Sequence, residues 1–115
     1  MATAVLFIGW DRPATTHPQD AWKHLTEKAL PALDGFQREG HFESKELVAL
    51  TAHGGDLNGF ILLFGERDKL DALRRTDAFE AFSMDMSAHF HRYGVVPGLN
   101  GAGIAKVMER MRARG

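Results

Sequence analysis

The chain has 115 residues, 44% hydrophobic and 25% charged, with 14 basic against 15 acidic side chains and a formal net charge of −1. That balance fits a single globular domain, residues 1–115, and gives no electrostatic footing for nucleic acid or an anionic membrane. There is no cysteine, which excludes disulfides, thiolate nucleophiles, iron–sulfur ligation and cysteine-based zinc sites.

The N-terminal "MATAVLFIGWDRP" is apolar for too short a stretch to be a signal peptide or a membrane span. A cytoplasmic protein is the expectation. "AVLFIGW", residues 4–10, is rich in β formers and predicts a strand covered on both faces. Pro18 suits a first helical position, where its missing N–H costs nothing. Trp22, Leu25, Ala29, Leu33 and Phe36 then recur at helical spacing and mark one buried face. Pro31 lies inside that pattern and predicts a kink or break, and Gly40 a stop.

"HFESKELVALTAHGGDLNGFILLFGE" reads as a hairpin. Its second arm, residues 60–65, is apolar throughout, and the glycines with Asp56 and Asn58 make the turn. A second helix opens with Asp68 as the expected cap and Leu70 and Leu73 inward. It restarts at Thr76 or Asp77, with Phe79, Phe82 and Met86 facing the core. Pro97 cannot donate to a ladder and marks a strand end or edge. "LNGAGIAKVMERMRARG" predicts a terminal helix with an apolar stripe of Ile104, Val107, Met108 and Met111.

The order strand–helix–strand–strand–helix–strand predicts an α+β, ferredoxin-like βαββαβ fold with an extra C-terminal helix. Its antiparallel sheet would carry helices on one face only. Strands 1 and 3 are apolar on both faces, so the second face needs a cover, and a second copy of the chain is the simplest one.

With this element order, the apolar first strand, "GGDLNGFILLFGERDKLDALRRTDAF" and the closing "VVPG", nearly the whole chain resembles the dimeric α+β barrel superfamily. That group includes antibiotic-biosynthesis monooxygenases, muconolactone isomerases, heme-degrading enzymes, YCII-related proteins and small uncharacterised members. The resemblance implies a homodimer with two sheets face to face, and a pocket in each protomer between its sheet and helices. No heme-ligand motif and no YCII-type His–Asp signature accompanies it, and no cofactor is expected.

Six histidines could carry chemistry, because imidazole titrates near neutrality. His17, His24 and His41 read as structural or surface residues. His53 sits where strand 2 ends. In "SAHFHRYG", His89, His91 and Tyr93 share one face if the stretch is a strand. If it is still helical, His89 and His91 diverge by about 200°.

As a metal site the pair would need a third ligand from His53, Asp85 or Asp11, and HxH alone is too weak a signal to assign one. As acid–base residues, His89 and His91 would face a pocket lined by Trp10, Trp22, His53, Phe60 and Tyr93. Arg12, beside the first helix, would hold a carboxylate. The expected function is binding of a small, partly apolar molecule, with cofactor-free monooxygenase or isomerase chemistry as its enzymatic form. The alternative is a non-catalytic binding or assembly module whose histidines bond to backbone or partner.

Overall fold

The first apolar run folds with the boundaries its composition predicts. In the computed structural model, which describes residues 2–115, β1 spans Ala4–Trp10. It pairs antiparallel with β3 (Gly59–Gly65) on one side and β4 (Gly94–Leu99) on the other, and β2 (Ser44–Ala49) pairs with β3. The sheet order is β2-β3-β1-β4, so β4 with Pro97 is an edge strand, where a missing donor is tolerated.

Directly paired residues share a face of the sheet. Leu6 lies opposite Leu63 and Ile8 opposite Ile61, and all four are fully buried. Helices cover this inner face. α1 (Pro18–His24) runs through a π-helical turn (Leu25–Ala29) into α2 (Leu30–Arg38), burying Ala21, Leu25, Ala29, Leu33 and Phe36. α3 (Arg67–Arg74) buries Leu70 and Leu73, and α4 (Asp77–His89) buries Phe79, Phe82 and Met86. Each buried leucine, phenylalanine or methionine among them contributes roughly 1.5–3 kcal/mol of transfer free energy.

Pro31 does not break the helix. The Leu30 N–H bonds to Leu25 O, five residues back, and this widened turn accommodates a ring that would crowd the preceding turn of a regular helix. Gly40 ends the segment at φ +88, a conformation that favours glycine. Thr76 caps α4, its hydroxyl accepting from Phe79 N–H at 3.1 Å. Asp68 does not cap α3: the N-cap is Glu66, which makes no side-chain cap bond, and the helix starts at Arg67.

The outer face of the sheet carries Val5 and Phe7 of β1, Phe60, Leu62 and Phe64 of β3, Val48 of β2 and Val96 of β4, as the register requires. Among the described residues no helix covers it, and Val96 is 55% exposed. The terminal helix α5 (Gly101–Arg114) follows β4 after the single residue Asn100.

Candidate functional site

Three segments converge where β1 ends. Backbone bonds tie the end of α4 to the residues after β1: Asp11 N–H to His91 O at 2.8 Å, His91 N–H to Arg12 O at 2.9 Å, and Ala14 N–H to His89 O at 2.8 Å. Asn58 N–H, from the loop between β2 and β3, donates to Trp10 O at 2.8 Å. Its side-chain Nδ2 donates to Asp11 Oδ1 at 2.6 Å.

These bonds frame a polar groove of about 450 Å³ lined by Asp11, Arg12, Gly54, Gly55, Asp56, Asn58, His91 and Arg92. Arg92 crosses it with φ +51, a left-handed conformation that costs a non-glycine residue on the order of 1 kcal/mol. Its guanidinium pairs with Asp56 and stands 3.9 Å from Asp11 Oδ2. Arg12 and His91 are exposed, and neither makes a salt bridge among the described residues. The groove thus pairs one engaged guanidinium with one free guanidinium and one imidazole, a set that suits a carboxylate or phosphate oxygen.

His89, His91 and Tyr93 do not share a strand face. α4 continues through His89, Phe90 is its C-cap, and β4 begins only at Gly94. The physical reason is the short antiparallel pairing of Phe90 with Pro13, which places Phe90 in the core and turns His91 out into the groove.

His89 instead stacks on His24, with ring centroids 3.9 Å apart and planes at 7°. His89 Nδ1 lies 2.7 Å from Asp85 O, a contact that requires a proton on Nδ1 and leaves Nε2 as the basic nitrogen of the neutral ring. Burial, then the neighbouring charges of His89 and Lys28, lower the His24 pKa below 6.5 against the pull of Asp85. His24 looked structural in the sequence because nothing local places it beside a residue 65 positions later; only the packing of α1 on α4 does.

The remaining expected residues scatter. Trp10 is 1% exposed, and its ring packs against Phe90 at 5.2 Å, while Trp22 meets Phe90 edge-on at 5.6 Å. These three rings occupy the space between sheet and helices where a ligand pocket was expected. The Trp10 indole Nε1 is buried without a hydrogen-bond partner among the described residues.

Phe60 lies on the outer face, stacked on Phe7 at 5.4 Å, and so cannot line an inner pocket. His53 lies beyond the end of β2 in the exposed loop. Its Nδ1 accepts from Gly55 N–H at 3.1 Å and its Nε2 sits 2.8 Å from Leu57 O; both ring nitrogens are engaged in holding the turn. The Tyr93 hydroxyl lies 2.9 Å from Ser83 Oγ, and burial pushes its pKa up to about 12 despite that hydrogen bond, so it stays protonated at neutral pH. Among the described residues no group of three or more His, Asp or Glu side chains converges as a metal site would.

The architecture has known counterparts. The chain is similar to an ethyl tert-butyl ether D (EthD) family protein from Bacillus halodurans, at 13% identity over 84% of this chain and 96% of the other, with a TM-score of 0.66. It is similar to a dimeric ferredoxin-like protein of unknown function from Jannaschia sp., at 16% identity over 82% and 96% of the two chains, TM-score 0.63. The chain has their ferredoxin-like fold. SnoaB, a cofactor-independent oxygenase from Streptomyces nogalater, shares it at 16% identity over 88% of this chain and 94% of its own, TM-score 0.53. No family model and no curated protein matches the chain. At these identities the likeness carries architecture and not chemistry.

Proposed function

We propose that the protein works as a homodimer joined through the outer sheet face, and that each protomer binds a small molecule bearing a carboxylate or phosphate in the strand-end groove. The observation that carries the dimer is the surface itself. The described residues expose 7237 Å², against about 6,300 Å² for a monomeric protein of 12.8 kDa. The excess, about 900 Å², matches the roughly 800 Å² that each partner buries in a standard interface. The uncovered face of Val5, Phe7, Val48, Phe60, Leu62, Phe64 and Val96 and the exposed apolar residues of α5 are the surfaces such an interface would bury. Arg12 and His91 support the ligand class. Among the described residues no helix is long and apolar enough to cross a membrane, and a cytoplasmic address goes with this reading.

A second reading is favoured by the unpartnered Trp10 N–H and by the stacked His24–His89 pair. In it the rings of Trp10, Trp22 and Phe90 part to admit a small, partly apolar molecule between sheet and helices, which accepts from Trp10 Nε1 and undergoes cofactor-free oxygenase- or isomerase-type proton transfer. Two-dimensional NMR of the labelled protein, titrated with a panel of small carboxylates, phosphates and phenols, separates the two. Shifts at Arg12 and His91 with an unmoved Trp10 indole N–H are expected. A shift confined to the Trp10 indole favours the second reading, and no shift with any compound overturns ligand binding of either kind. Sedimentation of a stable monomer at micromolar concentration overturns the dimer.

A further inference from the structure

We propose that α5 is an arm that packs its apolar stripe against the second copy of the chain, an inference that rests on the homodimer reading above. The helix is firmly aimed at its root. Asn100 Oδ1 accepts from Gly103 N–H at 2.9 Å, Asn100 Nδ2 donates to Ala2 O at 2.9 Å, and Asn100 N–H reaches Thr3 O at 3.3 Å. Gly103 is buried so tightly that a Cβ there would stand 1.9 Å from Thr3 O. A helix held this way is a fixed projection.

Beyond that first turn the apolar side chains stand largely in the open. Ile104, Val107, Met108 and Met111 are 53, 38, 50 and 60% exposed. At 100° per residue they span about 100° of the helix surface, the width of a core-facing stripe. Ala102, Ala105 and Lys106 lie on the opposite side, where they share a cleft with the start of α3 at Glu66–Asp68.

α3 lies in the inner helical layer, and the stripe faces away from it. In the proposed dimer a second copy seated on the outer face, opposite the helical layer, would meet it. Two-fold symmetry repeats the contact, each arm on the other protomer. Lys106, Arg110 and Arg112 lie off the stripe and Arg114 at its edge, and their long stems let the charges stay in water. A basic amphipathic helix also fits a membrane surface. The rigid root next to the uncovered sheet favours a second copy.

The test uses the full chain. Met108→Glu/Met111→Glu is compared with the wild type by sedimentation over a dilution series, with circular dichroism to verify equal helix content. The dimer dissociation constant is expected to rise by more than about tenfold. As a second measurement, the cysteine-free chain allows Met111→Cys to carry an environment-sensitive dye, whose emission is expected to blue-shift with the same concentration dependence as dimerisation. A wild type that is monomeric throughout overturns the homodimer and the arm together. A dimeric wild type whose dissociation constant the double variant leaves unchanged, with an unshifted dye, overturns the arm alone. Binding of wild type, but not variant, to phosphatidylserine-containing vesicles, with dimerisation unaffected, also overturns it and assigns the stripe to a lipid surface.

Discussion

The His24–His89 stack links a single imidazole to the stability of the fold. The His24 pKa is lowered in the folded protein, burial first and the charge of His89 second. The folded state therefore holds fewer protons than the unfolded chain between that lowered value and 6.5. Stability contributed by neutral His24 is fully present above the unfolded value and is lost as pH falls below it, levelling once the folded group also protonates. His24→Gln is expected to show a shallower fall in urea midpoint between pH 7.5 and 5 than the wild type; parallel curves would remove the stack from the pH response. Trp10 offers a second residue-scale prediction. A Cβ on Gly59 would lie 2.8–2.9 Å from the Trp10 indole, so Gly59→Ala is expected to cost about 1–3 kcal/mol of unfolding free energy by overpacking, measured by denaturant titration. Of the residues expected at the site, Arg12 and His91 do meet in one groove, while His89, His53 and Phe60 each face elsewhere. The groove depends on the pairing of Phe90 with Pro13, a contact across 77 positions that no local pattern contains. Chemistry-bearing residue types were readable; their juxtaposition was not.

Elements were more legible than sites because their signals are local. β1 and the apolar arm of β3 follow from runs that must be buried, α4 from its Thr76 start, and the stop at Gly40 from a backbone only glycine adopts easily. The π-helical turn was not legible, since it is the helix's answer to Pro31 under the demand that Leu25, Ala29, Leu33 and Phe36 all stay buried. Packing outweighed the break that Pro31 alone predicts. Thr76→Ala removes the hydroxyl that accepts from Phe79 N–H and is expected to cost about 1 kcal/mol of unfolding free energy. Hydrogen exchange should localise the loss to the first turn of α4; protection there equal to the wild type would show that the cap contributes nothing. Gly103→Ala is a harsher change at a different element. The added methyl meets the Thr3 backbone, which cannot rotate away, so the root of α5 must lift from the segment before β1. Faster exchange along α5 with an intact sheet is the expected outcome.

At the scale of the whole molecule, the chain is thin and extended. Its extents are 55 × 35 × 18 Å and its radius of gyration is 15.6 Å, against about 13 Å for a compact chain of this length. The excess reflects a thin sheet-and-helix layer with α5 projecting from it. Leu62 lies at the centre of the uncovered face, opposite Phe7 on one side and Glu46 on the other. In an isolated protomer a lysine there can run its aliphatic stem along the sheet and keep its charge in water, so the fold should survive. In a face-to-face dimer the same substitution carries an ammonium from each protomer into an apolar interface, where its one charged cross-strand neighbour is Glu46 of the same sheet; the desolvation cost then weakens association. Mass action then distinguishes the states without a structure. The Tm of the wild type is expected to rise with protein concentration from about 1 to 100 µM, because association stabilises the folded state by up to roughly 1.4 kcal/mol per tenfold. The Tm of Leu62→Lys is expected to be lower and independent of concentration, with circular dichroism unchanged. A wild-type Tm that stays constant over that range and equals the variant's would mean that the apolar face is tolerated in water and that the protomer is complete by itself.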